Sequence, residues 1–581
     1  MQDLTHSSKP WLKFYPQDIP PSLEYPKQPL YYFLTETCEK FPNRTALVFE
    51  GRRITYKQLN QLANRFANSL LSLGLKKGDR VGIILPNIPQ FVFCFYGALK
   101  AGTVVVPCNP TYREKELEFQ LRDSGARAAV ILNNIYGGTD FFLEFEKCRS
   151  RLSQLEYVIE TSLTDFLPPI KKALAGPVGK IKTVRRKSTL NLVNLLNSSS
   201  EEEPSLDKLA QINPLEDLAV LQYTGGTTGI SKGAMLTHYN LVSNAIVSSK
   251  WTGISSERET ALLAVIPFFH IYGLTNAMNA AIYAGQRIVM LPRFNAKDVL
   301  ETIEKEKIAI FPGVSTMYIA LLNHPELRNY SLRSVLRCVS GAAPLPVEVQ
   351  KKFNEITGGN LVEGYGLTEA SPVTHCTPFR SDFPPKPGSI GVPVPDTEAK
   401  IVDLETGTKE LGIGEVGELA VKGPQIMKGY WNNEEETRKV FRGEWLLTGD
   451  IAKRDEDGYF YIVDRKKDMI NASGFKVWPR EVEEVLYQHP DIKEAAVIGV
   501  KDPYRGETVK AFVVLKDKNK NPGEKAIEEF CRARIASYKV PRIIEFREEL
   551  PKSLIGKVLR RKLREEEAKL QTLQAKEQRI N

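Results

Sequence analysis

Cysteine is scarce and scattered. Seven occur in 581 residues (Cys38, Cys94, Cys108, Cys148, Cys338, Cys376 and Cys531), with no C-x-x-C pair and no gathering of the six histidines. That pattern excludes a disulfide framework and a structural zinc site, and it fits a reducing compartment. Long hydrophobic runs are absent too: none reaches the ~20 residues that a bilayer-spanning helix needs. The first twenty residues hold Lys, Asp, His and three prolines but no apolar signal core. A cytoplasmic location is expected. Negative charge is missing from one stretch: Phe166 to Ser200 has no Asp or Glu, while Lys171, Lys172, Lys180, Lys182, Arg185, Arg186 and Lys187 crowd there. Over the whole chain the net charge of +9 is mild, and no nucleic-acid partner is expected.

At 581 residues the chain exceeds the size at which one core stops growing, so at least two domains are expected. Much of it alternates short apolar runs with helical patterns, which predicts α/β layers. Arg80 to Leu85 and Thr103 to Pro107 read as buried strands, with a helix over Gln90 to Lys100 between them. Met290 and Ile308 to Phe311 mark strands around a helix over Ala296 to Glu306, and Val335 to Ser340 is a strand running into a turn. After Thr377 the texture changes to Gly, Pro and alternating residues such as Glu418 to Lys422, a β-rich subdomain. A last unit has a helix at Pro479 to Gln488 and strands at Ala495 to Val500 and Ala511 to Leu515. Its tail, Arg560 to Ile580, reads as a charged, solvated helix. There is no internal repeat.

Residues 162–204 read as a surface insertion. Phe166, Leu167, Ile170, Leu174, Val178 and Ile181 interleave with its lysines, a composition open to two readings: an interfacial segment on anionic lipid, or a solvated loop.

The densest chemical signal is Tyr223 to Gly233, Y-T-G-G-T-T-G-I-S-K-G. Glycines let main-chain N–H groups face a phosphate closely, threonine hydroxyls add donors, and Lys232 adds a point charge. The stretch departs from the ordinary P-loop, which needs G-x-x-x-x-G-K-[ST]. Ser231 stands before the lysine and Gly233 after it.

Four further segments follow. Glu363 to Glu369 reads E-G-Y-G-L-T-E, Trp445 to Asp450 reads W-L-L-T-G-D, Ile462 to Gly474 reads I-V-D-R-K-K-D-M-I-N-A-S-G, and Pro551 to Arg561 reads P-K-S-L-I-G-K-V-L-R-R. With the 223–233 loop, all five resemble the signature regions of the AMP-forming acyl-CoA synthetases, in that family's order and spacing. The resemblance covers nearly the whole chain. It implies a large N-terminal α/β domain with a β-rich subdomain (1–466) and a small, mobile C-terminal α+β domain (467–581). It also implies ATP, Mg2+ and coenzyme A as the small molecules used, and leaves room for a homodimer.

Residue roles follow from the same resemblance. Thr224, Gly225, Gly226, Thr227, Thr228, Gly229 and Lys232 would hold the β- and γ-phosphates. Glu369, with Thr224, would supply oxygen to magnesium, which prefers carboxylates and retained water. Tyr365, between Gly364 and Gly366 and beside Glu363 and Thr368, would offer a face to adenine, with Gly341, Ala342 and Ala343 opposite. Asp450 and Arg465 would take the ribose hydroxyls. Lys557 would bridge carboxylate and α-phosphate during adenylation, Lys467 would be the hinge, and Ser473 and Gly474 would line the CoA channel. His270, in P-F-F-H-I-Y-G, sits where the family has an acyl-pocket residue.

Among family members the motifs look most like bacterial and archaeal long-chain fatty acyl-CoA synthetases. Asn471 and Ala472 replace bulkier apolar residues, while Lys476 and Trp478 replace a commoner Asn and Tyr. Val265, Ile266, Phe268, Phe269 and Ile271 read equally as tunnel wall or as core. Hydroxycinnamate-type and medium-chain ligases share the motifs, as do adenylating enzymes with an acceptor other than CoA. No phosphopantetheine-carrier domain follows Asn581, which counts against a peptide-synthetase role.

Overall fold

The computed structural model describes residues 9–136, 139–169, 171–172, 182–183, 189–205, 211–224, 231–254, 257–380, 382–383, 386–472, 475–502, 506–553 and 558–580. The chain forms two compact units. The larger holds Trp11–Glu398 with Lys422–Lys439; the smaller holds Met1–Pro10, Ala399–Val421 and Val440–Asn581. The β-rich segment thus groups with the C-terminal residues.

Beside a small sheet of Thr139–Asp140, Asn134–Tyr136 and Lys182–Thr183, two large sheets dominate the larger unit among the described residues. One runs, in spatial order, Leu190–Asn191, Tyr157–Thr161, Ala126–Leu132, Arg80–Ile84, Val104–Pro107, Leu218–Thr224 and Lys232–Thr237. Its central strands are parallel and buried, which is why they read as unbroken apolar runs. Helix Pro89–Lys100 connects two of them and is buried along its whole length, with proline at its first position. The other sheet runs Val392–Pro393, Val373–Cys376, Asn360–Gly366, Arg337–Ser340, Ile308–Gly313, Ala261–Ala264, Arg287–Met290, Thr45–Phe49 and Arg52–Thr55. Its strands Ile308–Gly313, Arg337–Ser340 and Asn360–Gly366 are mutually parallel, so their C-terminal ends line up side by side. In open α/β sheets that edge is where ligands bind.

The smaller unit has two sheets of its own. Gly417–Lys422, Trp445–Arg454 and Phe460–Arg465 are antiparallel neighbours. The second centres on the long hairpin Ile492–Asp502 and Gly506–Leu515, packed on helices Pro479–Tyr487 and Glu524–Arg532 around Val482, Leu486, Val497, Ala511 and Ile527.

Three expectations change. Helix Arg560–Ile580 does not begin solvated: Arg560 is enclosed by carboxylates, Leu563 is fully buried, and Lys510 donates to Glu567 at 2.6 Å. Phe166 and Leu167 are buried, with the Phe166 ring 5.1 Å from that of Phe93, so they belong to the core and not to a lipid-facing segment. The acidic end of the insertion is fastened, too. Glu201 pairs with Arg65 at 2.8 Å, Glu203 pairs with the buried Lys100 at 3.0 Å, and Asn68 donates to the carbonyls of Ser200 and Glu202. Of the basic residues, Lys171 pairs with Glu50 at 2.6 Å. Ile170, Leu174, Val178, Ile181, Lys180, Arg185, Arg186 and Lys187 lie outside the described residues. No helix among the described residues is long and apolar enough to cross a membrane.

Candidate active site

Lys232 opens the strand Lys232–Thr237, which pairs antiparallel with Leu218–Thr224 and sets Thr224 opposite Lys232. The Ser231 hydroxyl donates to the Thr224 carbonyl and ties the two ends together. Gly225, Gly226, Thr227, Thr228 and Gly229 lie outside the described residues.

A distant segment completes this corner. Met235 N bonds Gly429 O at 2.9 Å, Lys428 N bonds Met235 O at 3.0 Å, and Trp431 N bonds Gly233 O at 2.8 Å, so 428–431 runs alongside 233–235. Met427 N bonds the Glu369 carbonyl at 2.8 Å. These bonds place Tyr430 between Lys232 and Glu369. Its hydroxyl donates to Glu369 Oε1 at 2.7 Å, and the Lys232 ammonium lies over its ring, 5.0 Å from the centroid. Burial first, then the Glu369 charge, pushes the Tyr430 phenol far above its ordinary pKa, so it remains a donor at any working pH. Lys232 also forms an ion pair with Glu436 on helix Glu434–Val440. Hydrogen bonds from Lys232 and then Lys439 hold the Glu436 carboxyl below the usual range.

The Glu369 carboxylate is a hard oxygen donor fixed by a buried phenol, which suits Mg2+. Among the described residues no three His, Cys, Asp or Glu side chains gather to form a cage. Magnesium here would have room for Thr224, phosphate oxygens and water beside the Glu369 carboxylate, in keeping with its preference for few carboxylates and retained water.

At the aligned strand ends, Ser340 stands beside Glu363 in parallel register. Gly341 N bonds Gly313 O at 3.1 Å, and Ala343 N bonds Gly341 O at 2.8 Å around Ala342, whose φ is +65°. The Tyr272 ring lies flush against Gly341, where a Cβ would sit 3.1 Å from it, and the Tyr272 hydroxyl donates to Val339 O at 2.8 Å. One strand over, Tyr365 follows Glu363 and Gly364 and faces the buried His375, ring centroids 5.9 Å apart. Burial lowers the His375 pKa to about 3, so the ring is neutral. Glu363 is itself buried and accepts from Leu345 N at 3.4 Å. Gly366 ends the strand, and Thr368 and Glu369 share the short helix that follows. The structure thus brings Gly341, Ala342 and Ala343 to the same sheet edge as Glu363, Gly364, Tyr365 and Gly366.

His270 accepts from Tyr272 N at 3.2 Å, just before a π-helical turn, Gly273–Asn279. That wide turn needs Gly273, since a Cβ there would lie 2.2 Å from the Pro267 carbonyl. Asn87 holds the segment from below, donating to Ala264 O and Ile266 O and accepting from Phe268 N. Val265, Ile266, Phe268 and Ile271 are all buried.

In the smaller unit Asp450 is buried, opposite Arg465 in the strand pairing, and accepts from Arg465 Nε at 2.9 Å. Gly449 N donates to Glu418 Oε1 at 3.0 Å, and Lys466 holds Glu418 Oε2 at 2.8 Å. Lys467 lies on the short helical turn Lys466–Asp468. Loss of water around its ammonium, opposed by Asp468, lowers its pKa to about 8, although much of the side chain stays exposed. Around this turn Arg560 donates to Asp464 at 3.0 Å, to Asp468 at 3.2 Å and to both oxygens of Glu483. Ser473, Gly474 and Lys557 lie outside the described residues.

Tyr430 and Glu436 escape the sequence reading. Tyr430 is 61 positions from Glu369 and Glu436 is 204 from Lys232. The only trace is the G-Y-W-N-N-E-E-E-T run, Gly429 to Thr437.

The chain belongs to the AMP-binding enzyme family: residues 34–431 match that family, and 481–557 match the AMP-binding enzyme C-terminal domain. It is 48% identical over 563 residues to a long-chain-fatty-acid–CoA ligase of Bacillus subtilis (strain 168), covering 97% of this chain and 98% of that one. A long-chain-fatty-acid–CoA ligase of Escherichia coli O157:H7 is 39% identical, covering 96% and 98%. Among solved structures, the anthranilate CoA ligase AuaEII in complex with anthranoyl-AMP matches with a TM-score of 0.80 at 30% identity, covering 94% of this chain and 98% of that one.

Proposed function

We propose that this protein activates long-chain fatty acids as their CoA thioesters in two steps. The fatty carboxylate attacks the α-phosphorus of ATP, the α–β anhydride bond breaks, and pyrophosphate leaves with the bonding pair. The deprotonated CoA thiol then attacks the acyl carbon of the acyl-AMP, and AMP leaves. Near-full-length identity of 48% to a long-chain ligase carries the acyl class. The Lys232–Tyr430–Glu369 corner supports the first step, because charge builds on phosphoryl oxygens and cations are the main means of stabilising it.

In this reading Thr224, Lys232 and the loop between them take the β- and γ-phosphates. Tyr365 and the Gly341-Ala342-Ala343 turn take adenine, and Asp450 with Arg465 takes the ribose. Glu369, oriented by Tyr430, would hold magnesium, which when bound neutralises polyphosphate charge. Lys557 supplies a cation during adenylation, Lys467 is the hinge, Ser473 and Gly474 line the thiol's path, and His270 touches the acyl group. The cations from Lys172 to Lys187 would favour peripheral contact with anionic lipid at the inner face of the membrane, by charge alone now that Phe166 and Leu167 are core residues. A homodimer remains compatible with this reading.

The test is pyrophosphate release over fatty acids of graded length, with coumarate alongside, each with and without CoA. Long chains should release pyrophosphate fastest, with AMP and acyl-CoA accumulating when CoA is present. Formation of ADP and phosphate, or a preference for coumarate, would overturn the reading.

A further inference from the structure

Lys232 pairs with a carboxylate of its own chain at the place where a polyphosphate would be expected. Glu436 uses both oxygens: Oε2 takes Lys232 and Oε1 takes Lys439 at 2.8 Å, while Lys439 also reaches Glu435 at 2.7 Å. The inner pair is shielded, with side-chain exposures of 16% for Lys232 and 25% for Glu436, whereas Lys439 and Glu435 are 55% and 76% exposed. The four charges therefore form a row that runs from the loop outwards to solvent.

We propose that Glu436 is an internal stand-in for polyphosphate: it holds Lys232 in place when nucleotide is absent and competes with ATP and pyrophosphate for it. This rests on the reading of Lys232 as a polyphosphate cation. Three features favour an exchange over a permanent pair. When Lys232 turns to a phosphate, Glu436 keeps Lys439, so no buried carboxylate is stranded, which is what makes breaking a shielded pair costly. The Tyr430 ring lies beneath the ammonium and is anchored through Glu369, so Lys232 moves over a fixed aromatic face and not into open solvent. Glu436 is fixed to the same frame: Glu436 N donates to Asn433 Oδ1 at 3.1 Å, and Thr437 Oγ1 accepts from Tyr430 N at 2.9 Å. The backbone that carries the carboxylate is thus tied to the segment that carries Tyr430 by bonds that do not involve the lysine.

Both ligands must displace the same carboxylate, so both bind more weakly by the same factor. For the product this is useful, since pyrophosphate leaves as Glu436 reclaims the lysine.

The experiment compares Glu436→Gln, Lys232→Ala and the double variant with the wild type, in the full chain. The readouts are KM for ATP, the inhibition constant of pyrophosphate, and KM for the fatty acid. Glutamine keeps the shape and a neutral acceptor. In Glu436→Gln the two polyphosphate constants should fall together by about three-fold, the scale of a partly shielded ion pair, while KM for the fatty acid stays put. Lys232→Ala should raise both constants, and adding Glu436→Gln to it should give no further change. A Glu436→Gln enzyme whose ATP and pyrophosphate constants are unchanged or raised overturns the proposal, while a response of Lys232→Ala keeps the loop reading. The proposal also falls if the glutamine gain persists without Lys232, since Glu436 would then act elsewhere. Lys232→Ala with unmoved constants removes the loop reading itself.

Discussion

Arg465 donates its Nε to Asp450 Oδ1 at 2.9 Å across one rung of an antiparallel pair. The carboxylate is buried while the guanidinium stays partly open, so the arginine orients an acceptor that has little freedom of its own. A diol offered to that acceptor gains two charge-assisted hydrogen bonds.

If Asp450 takes the ribose, Asp450→Ala should lower kcat/KM for ATP by about thirty-fold or more, since about thirty-fold is the value of just one hydrogen bond to a charged group and the variant loses both. The same variant should no longer discriminate ATP from 2′-deoxy- and 3′-deoxy-ATP. Retained discrimination would place the ribose elsewhere.

Lys557→Ala should abolish adenylation, a loss of roughly 3 kcal/mol or more in the transition state, yet spare thioester formation from supplied acyl-AMP. The cation is needed only while the phosphoryl group carries its extra charge. Equal losses in both half-reactions would make Lys557 a structural residue.

His238 and His375 make stability pH-dependent. Each is fully buried, and burial lowers each pKa from 6.5 to about 3. His238 Nδ1 accepts from Leu30 N at 3.0 Å, which requires the neutral ring, with the Lys77–Asp217 pair nearby. A depressed folded-state pKa means that the unfolded chain binds the extra proton. The stabilisation is complete above pH 6.5 and drains away as pH falls towards 3. Each histidine contributes a slope of about 1.4 kcal/mol per pH unit in that window. His238→Asn keeps an acceptor near Nδ1 and should flatten the urea-midpoint profile between pH 6.5 and 4. An unchanged profile would show that other groups dominate.

Much of the fold was legible because its signals are local. The strands at Arg80–Ile84 and Val104–Pro107 and the helix Pro89–Lys100 stand where apolar runs put them, since buried parallel strands leave no room for polar alternation. Thr224, Lys232, Glu369, Tyr365 and Asp450 were singled out in the sequence by their motifs. Only the start of the tail helix departs from what its charge suggests: Arg560 is enclosed by Asp464, Asp468 and Glu483, which lie far before it in the chain, while most described side chains after Leu563 are exposed. Phe166 was misjudged because its neighbours in sequence are basic while its neighbours in space include Phe93. Pairings such as Tyr430 with Glu369 have no periodicity to betray them.

Arg560→Ala should destabilise the smaller unit by about 3–5 kcal/mol, because it leaves buried carboxylates without their cation. Burial opposes the charge on Arg560, but Glu483, Asp464 and Asp468 outweigh it and hold its pKa above the ordinary value. Urea unfolding measures this directly; a loss under 1 kcal/mol would mean that Arg564, which also pairs with Asp468, suffices.

Liposome co-sedimentation tests the basic segment. The wild type should bind anionic vesicles at low salt, release them as salt rises, and ignore neutral ones. Each nearby Lys or Arg contributes about 1 kcal/mol, so changing Lys172, Arg185, Arg186 and Lys187 to Ser should remove most of the binding. Equal binding by both proteins, or none by either, ends that idea.

The parallel neighbours Tyr157–Thr161 and Leu190–Asn191 form one edge of the seven-stranded sheet, whereas Leu218–Thr224 and Lys232–Thr237 form the other. The chain between the first two strands leaves one row and rejoins the next; on the way it gives Phe166 and Leu167 to the core and pairs Lys182–Thr183 with Asn134–Ile135. Between such fixed points, doubling the length of a connecting stretch costs only about 0.6 kcal/mol in closure entropy. Evolution, or an engineer, is therefore free to rewrite the stretches between those fixed points in length and charge and so change what the protein docks against, while the polyphosphate corner several strands away keeps its register.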